Sequence, residues 1–461
     1  MKKKILVYGI GTFFSKVLVF LMVPIYTRVF TRADYGYYDV ITQNLQMIIS
    51  ISFLEIWSGI LRFMYDGDEK LSPVNTFKKM FPFLSVLYLI AFGVLYLLTD
   101  VKYVPLMLVY GLTYLIFTVS NSECRGFGNN VLFILSGVVS TVTSCGLSIL
   151  FAVGLHKGIE FLVIAQCIGY MAASIFVELR IHCFRDSFKT KAMVPVRQMV
   201  MFCFPLMLNS FSYLFLGTYN KNLVLLRLGE DASGYYGYVS KFATILSILI
   251  SIYTLAWQEE AFSSAKSENQ DSKYSHLINL FVKLVGLGTP IFIMVLFWGS
   301  KYYGGAQYVD ALKYIPLAII SAYIAGMSGV YSTLIAVGKK THYILLSTVI
   351  GAAVNVAMVT ILIDRFGING ANLALCAGFG ATVISRMIFA SKTHKIKLSI
   401  TANVVVILEF IVCCVMFMLQ YNLMAVIFLA ATVAMWIIMN RTEMSEMITR
   451  ISGMINRKTE E

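Results

Sequence analysis

Residues 1–27 read MKKKILVYGIGTFFSKVLVFLMVPIYT. Three lysines precede an apolar run long enough to cross a hydrocarbon layer, which takes about 20 residues. A cleavable signal peptide also starts basic, but it ends at a small-residue cleavage site. Here Lys16 interrupts the run and no such site follows, so the stretch reads as a retained first span. The same pattern recurs down the chain. Apolar windows at 5–27, 37–61, 80–98, 104–122, 131–153, 159–178, 199–219, 234–257, 277–299, 312–337, 342–363, 368–390, 400–419 and 421–440 are separated by polar or charged breaks, giving about 14 spans.

Composition agrees. Of 461 residues, 58% are hydrophobic and 13% charged, against roughly 25% charged in soluble domains. Mean hydropathy is +0.77. Disorder, a coiled coil and a cytosolic enzyme are excluded; an all-α polytopic membrane protein is expected.

Charge sets the orientation. With a cytoplasmic N-terminus and alternating loops, about 24 of the 37 Lys and Arg fall on the cytoplasmic side and about 8 outside. Both termini are therefore expected in the cytoplasm. The net charge of +13 then faces the anionic lipids of the inner leaflet, and no nucleic acid is needed to explain it.

Catalytic signatures are missing. The sequence has no P-loop, HExxH or CxxC, and its eight cysteines lie in apolar stretches, where they read as small buried hydrophobes. Adjacent Cys413 and Cys414 point to different sides of a helix, so no metal site is expected. Connections run to roughly 20 residues at most, which leaves no room outside the membrane for an active site. Whatever the protein does, it does between its helices.

ADYGYYDVITQNLQMIIS after the first span and SGYYGYVSKFATILSILIS after the seventh share a pattern: Tyr35-Gly36-Tyr37 aligns with Tyr236-Gly237-Tyr238. Six spans separate them, and an even number preserves orientation, as in parallel repeats about an axis along the membrane normal. The expected domains are a lobe at 1–195, a second at 196–395, and two further helices with a tail at 396–461.

Ionisable groups inside spans cost about 2.5–3.5 kcal/mol each on insertion scales. Lys16 lies mid-span in the first helix, Lys241 a third of the way into the eighth, and Lys221 near the outer end of the seventh. Arg28, Arg32 and Arg227 sit at outer helix ends, where snorkelling competes with function as an explanation, as it does for Lys221. Lys16 cannot snorkel easily; it either lines a wet cavity or pairs with Asp39 or Glu55 to lock two helices. In the second span Asp39, Gln43, Gln46 and Ser50 share one helical face, and Asn44 shares another with Glu55. Asn209, Ser212 and Asn220 align in the seventh. Polar faces also glue spans together, but their presence on the first pair of each repeat fits a central cavity. Asp39, Glu55 and Glu409 are the candidate coupling acids.

Three ordered stretches carry a resemblance: VPIYTRVFTRADYGYYDV at 23–40, NKNLVLLRLGEDASGYYGYVSKFATIL at 220–246, and GKKTHYILLSTVIGAAVNVAMVTILIDRFGINGANLA at 338–374. Together they resemble Wzx-type polysaccharide and oligosaccharide flippases of the MOP (multidrug/oligosaccharidyl-lipid/polysaccharide) exporter superfamily. Lys241 matches that family's helix-eight lysine, Asn355 its mid-helix Asn, and Gly367 to Ala371 its Gly-Ile-x-Gly-Ala turn. Asn220-Lys221 stands where many relatives have Asp-Arg, which leaves that position without an acid for ion coupling, and Asp364 replaces a common Pro.

The resemblance implies a MATE-like fold of two six-helix lobes plus two C-terminal helices in the bacterial cytoplasmic membrane. It also implies movement of polyprenyl-diphosphate-linked oligosaccharide by alternating access. No cofactor is implied, only coupling to protons, sodium or membrane potential. The implied partners are the lipid-linked cargo, membrane lipids, and a polysaccharide polymerase and glycosyltransferases. Lys16 and Lys241, with Arg28, are the expected diphosphate site; Lys221, Arg227, Asp39, Gln43, Gln46, Asn209 and Asn220 complete the expected cavity. The competing readings are a MATE-like multidrug or cation exporter, which should offer carboxylates to its cargo, and a membrane-embedded glycan-assembly enzyme, which needs a catalytic His or paired acids. A non-transporting scaffold in such an assembly is a third.

Overall fold

The computed structural model describes residues 18–66, 69–98, 102–189, 192–264, 269–338, 340, 342–419 and 421–441, and every regular element among them is helical. In chain order these are α1 (Leu18–Val29), α2 (Arg32–Ser52), α3 (Ile56–Asp66), α4 (Ser72–Leu98), α5 (Val104–Gly126), α6 (Asn130–Ile149), α7 (Glu160–Ile181) and the short α8 (Cys183–Asp186). There follow α9 (Val196–Leu228), α10 (Glu230–Ser263), α11 (Gln270–Phe281), α12 (Leu287–Tyr303), α13 (Ile315–Val337), α14 (His342–Ser391), α15 (Ile400–Leu419) and α16 (Asn422–Met439). By length and composition ten stretches of helix suffice to cross a membrane, or eleven when α2 and α3 count as one bent span. This is a multi-pass, all-helical membrane protein.

Two features differ from the plain succession of windows. The span expected at 37–61 is broken: α2 and α3 meet at 52°, across Leu54 and Glu55 with φ of 52° and 50°. Such left-handed residues cost roughly 1–2 kcal/mol each. The Glu55 amide bonds back five residues to the Ser50 carbonyl (3.0 Å). No Gly or Pro marks the site, so local sequence gives no warning.

The windows at 342–363 and 368–390 lie within one 50-residue stretch, α14. At about 1.5 Å per residue that length is over twice a hydrocarbon core of about 30 Å. Gly367, at φ 55° and ψ −132°, breaks it into two arms. Those torsions lie in a region open to glycine and closed to residues bearing a Cβ. The expected connection is thus a single residue.

The chain forms two compact units. One comprises Met1–Tyr238, Gly305–Gln307 and Ile363–Ile368; the other comprises Val239–Gly304, Tyr308–Leu362 and Asn369–Glu461. The first has a core of Phe53, Leu84, Tyr88, Tyr110 and Leu115, all essentially closed to solvent. Its outward positions, such as Leu97 and Leu179, are aliphatic and exposed, as a lipid-facing surface requires.

In the second unit α11 and α12 are the spine. A π-turn at Val282–Gly286 joins them, and π-turns disturb the i→i−4 ladder. The carbonyls of Lys283 and Leu284 accept from Nδ2 of Asn440, the residue that caps α16 (3.2 Å), and from Nε1 of Trp436 of α16 (3.1 Å). Trp436 and Asn440 are four residues apart, hence on one face.

The segment entering α15 is held alongside α11. The amides of Lys395, Lys397 and Ser399 donate to Asp271, Ser275 and Asn279 at 3.0, 3.0 and 2.8 Å. Two extended residues advance about 6.6 Å and four helical residues about 6 Å, so the registers match.

Candidate functional site

The site grows from α2. Thr31 caps the helix, its hydroxyl accepting from the Asp34 amide at 3.1 Å, and the next residue, Arg32, bonds the Tyr235 hydroxyl and lies 3.5 Å from Asp231. One turn on, Gly36 allows the start of α10 to touch α2: a Cβ at Gly36 would lie 2.5 Å from the Gly234 nitrogen. Both members of the Tyr-Gly-Tyr repeat, Tyr35-Gly36-Tyr37 and Tyr236-Gly237-Tyr238, therefore take part in one buried crossing, with Gly237 beside the Asp39 carboxylate.

Beneath it Asp39 forms an ion pair with Lys221 of α9; their side chains are 6% and 11% exposed. Asn44 and Asn222 exchange two amide hydrogen bonds, at 2.8 and 2.7 Å. A cavity of about 260 Å³ opens against this pair, lined among others by Tyr37, Leu225 and Glu230. On the same margin Lys102 approaches Glu230 at 3.7 Å, while its amide donates to the Tyr37 hydroxyl (2.6 Å). The result is a charged, hydrogen-bonding seam inside apolar helices.

The structure places the other candidates as follows. Asn220 is fully buried, next to Lys221. Gln43 lies near Gly217 of α9, and its Oε1 is buried with no hydrogen-bond partner among the described residues. Gln46 turns away to the Tyr110 hydroxyl of α5 (3.4 Å), so the stripe of Asp39, Gln43, Gln46 and Ser50 serves more than one neighbour. Arg227 meets Asp364 at 3.4 Å on the surface, with both side chains more than half exposed. Arg28 is exposed, and Gly305 packs against the backbone just before it. Glu55 stands at the break between α2 and α3 and interacts with the Ser210 hydroxyl. Lys241 is half-buried in the second unit; Glu409 of α15, in the same unit, is buried beside Thr432 of α16. Lys16 and the Asn209 side chain lie outside the described residues.

Sequence reasoning missed two partners. Asn222 was available in the polar run Tyr219-Asn220-Lys221-Asn222, but nothing local indicates that it would meet Asn44. Arg386 lies inside the window at 368–390 yet was not among the candidates. It is buried and donates to Ser347 Oγ (3.0 Å), the Ser328 carbonyl (2.7 Å) and Thr348 Oγ1 (3.0 Å), tying α13 to both arms of α14. No cluster of His, Cys, Asp or Glu suited to a metal occurs among the described residues.

The fold is shared with known transporters. The chain superposes on the lipid II flippase MurJ in an inward closed conformation with a TM-score of 0.69 at 15% identity, covering 95% of this chain and 100% of that one. An inward-facing multidrug resistance MATE family transporter of the MOP superfamily gives 0.64 at 15% identity, over 82% and 96% of the two chains. A mutant of the Vibrio cholerae MATE transporter VcmN gives 0.57 at 15% identity, over 85% and 96%. No curated protein sequence matches significantly. Residues 1–257 match the model of the polysaccharide biosynthesis protein family, and with more than half its length matched, including the whole α2–α9 seam, the chain belongs to that family.

Proposed function

We propose that this protein is a flippase that carries polyprenyl-diphosphate-linked oligosaccharide from the inner to the outer leaflet of the bacterial cytoplasmic membrane. The observation that carries the reading is the Asp39–Lys221 pair with the adjoining Asn44–Asn222 exchange, held within apolar helices. An oligosaccharide brings many hydroxyls, each costing about 4–8 kcal/mol in an alkane-like medium unless hydrogen-bonded. Carboxamides and a separable ion pair offer both donors and acceptors, and Lys221 can exchange Asp39 for a phosphate oxygen. Lys16 and Lys241 are assigned to the diphosphate, with Arg28 as a weaker member. Outward movement of a dianion gains about 4–5 kcal/mol per 100 mV of inside-negative potential. Rocking of two repeat lobes, with both termini cytoplasmic, supplies alternating access. A polymerase and glycosyltransferases would act on either side of this step.

Deletion is the direct test. Cells lacking the protein should accumulate completed lipid-linked oligosaccharide on the cytoplasmic leaflet and lose surface polysaccharide. A truncated glycan by mass analysis would instead indicate an assembly enzyme. The multidrug or cation exporter reading draws on the buried Asp39 and Glu409 and on the MATE-like fold; it requires drug sensitivity to rise on deletion while the glycan lipids stay unchanged.

A further inference from the structure

α15 turns one face inward, on which Val406, Glu409, Phe410, Cys413 and Phe417 are buried. Val406 reaches Gly286 in the π-turn, where a Cβ would lie 3.0 Å from its Cγ2. Cys413 Sγ lies 3.9 Å from the Pro290 carbonyl of α12, and the rings of Phe417 and Phe297 stand 5.2 Å apart. Phe410 meets the ring of Tyr323 of α13 at 5.3 Å. Glu409 is thus an acid midway along a membrane-length helix, 8% exposed, on a face otherwise made of hydrocarbon, aromatic rings and a thiol. Beside it stands Thr432, midway along α16 and 1% exposed. Neither Glu409 Oε2 nor Thr432 Oγ1 has a hydrogen-bond partner among the described residues.

α13 and α16 contain no Asp, Glu, Lys or Arg, and α15 contains no other than Glu409. Of the remaining segments packed against α15, α12 carries Lys301 in its last turn and the π-turn carries Lys283. Glu409 forms no ion pair among the described residues. The other titratable groups of these segments are phenols and thiols: Tyr323 and Tyr331 of α13, Tyr302 and Tyr303 of α12, and Cys413 and Cys414 of α15 itself. A carboxylate without a cation or water is costly in such surroundings. A metal ion stripped of its water needs several oxygens in exchange, whereas a proton needs one. A protonated carboxyl is at once donor and acceptor, and so is a hydroxyl, so Glu409 and Thr432 can satisfy each other with no charge left over. We propose that Glu409 and Thr432 form a proton-binding site that links proton uptake to the docking of α16 on α15. Release of the proton leaves a carboxylate with one donor for its two oxygens, and it regains solvation when α16 moves away and admits water. Docking is therefore complete at acid pH and is lost as pH rises through the titration of this group. Nothing here depends on the identity of the transported cargo.

The test uses the full-length protein in liposomes of phosphatidylethanolamine and phosphatidylglycerol, stepped from acid to alkaline pH. Infrared difference spectra read the carbonyl stretch of protonated carboxyl groups, and Glu409→Gln identifies the part that belongs to this site. Limited proteolysis reads the connection between α15 and α16. In the unmodified protein the Glu409 band should disappear as pH rises. Cleavage should increase over the same interval by up to about tenfold per pH unit, the slope of a single proton. Glu409→Gln, uncharged at every pH and still both donor and acceptor, should lack the band and show slow cleavage that pH does not change. Thr432→Val should keep the band and be cleaved faster at acid pH, because the hydroxyl is gone. Exchanging potassium for sodium should alter neither readout. Absence of a Glu409 band at acid pH, a band that persists unchanged to alkaline pH or is displaced by sodium, or the same pH profile of cleavage in Glu409→Gln would overturn the site.

Discussion

Asp39 of α2 and Lys221 of α9 form an ion pair almost closed to water, five residues before Asn44 and one before Asn222, which form the neighbouring carboxamide pair. Breaking a buried pair by removing one partner costs about 3–5 kcal/mol, because the remaining charge is left desolvated. Lys221→Met and Asp39→Leu should each lower the thermal midpoint of the purified protein markedly. The double variant should recover most of that loss, since apolar replacement of both partners is often tolerated. If the pair also handles cargo, the double variant regains stability and still fails to restore surface polysaccharide. Full recovery of both would make it a helix lock only.

Local sequence carried the helices and not the meetings between them. Apolar windows are short-range signals, so the helical positions were legible, and the family resemblance marked Gly367 as the start of a turn. The kink at Leu54 and Glu55 was not, because ISISFLEIWSGI contains no breaker where the helix bends. Asp39 and Lys221 each read as intramembrane charges, yet they are 182 residues apart, and no spacing rule selects Lys221 over Lys16 as the acid's partner. Gln46 shows the limit of face arguments: it shares a helical face with Asp39 but reaches Tyr110.

Gly367→Ala should be poorly tolerated. The φ of 55° and ψ of −132° put a Cβ into a region with a strain of about 1–3 kcal/mol. The expected result is reduced membrane yield and a lower thermal midpoint, whereas Gly380→Ala, at a helical glycine with open space around it, should change neither.

Trp436→Phe keeps the ring and removes the donor to the Leu284 carbonyl. Interhelical hydrogen bonds in membranes are worth about 0.6–1.7 kcal/mol, so a modest loss of stability is expected. Asn440→Leu removes the donor to Lys283 on the same face, and the two losses should add to less than their sum if α16 undocks as a unit. Protease access to the α15–α16 connection, measured beside unfolding, checks the second point.

The orientation read from the lysines and arginines predicts that a cysteine at Lys189 labels only from the cytoplasm. A cysteine at Tyr302, which is 81% exposed, should label from outside. Gly305 suits the outer probe less well, because a Cβ there would lie 2.7 Å from the Thr27 carbonyl. Labelling at Lys189 by an impermeant maleimide on intact cells would reverse the topology.

The last prediction concerns Lys16 and Lys241. Lys16 is the basic residue inside the apolar window at 5–27, and Lys241 lies inside the window at 234–257, within the segment that follows the second Tyr-Gly-Tyr. An ammonium meets phosphate as a point charge, whereas a guanidinium can hold it through two parallel hydrogen bonds. Lys16→Met keeps length and apolarity, so insertion should survive or improve, and transport should fall sharply because the diphosphate enters without its countercharge. Lys16→Arg should retain part of the activity if charge is what matters, limited by the bulk of the fork. Lys241→Met should behave like Lys16→Met, and the two together should be little worse than either alone if both hold one diphosphate. The competing role, a lock between Lys16 and Glu55 (Asp39 being paired with Lys221), predicts a different pattern: removing Lys16 together with Glu55 restores transport. Surface polysaccharide in a deletion strain complemented at matched expression is the readout. Normal polysaccharide in the Lys16→Met strain would remove that residue from the binding site.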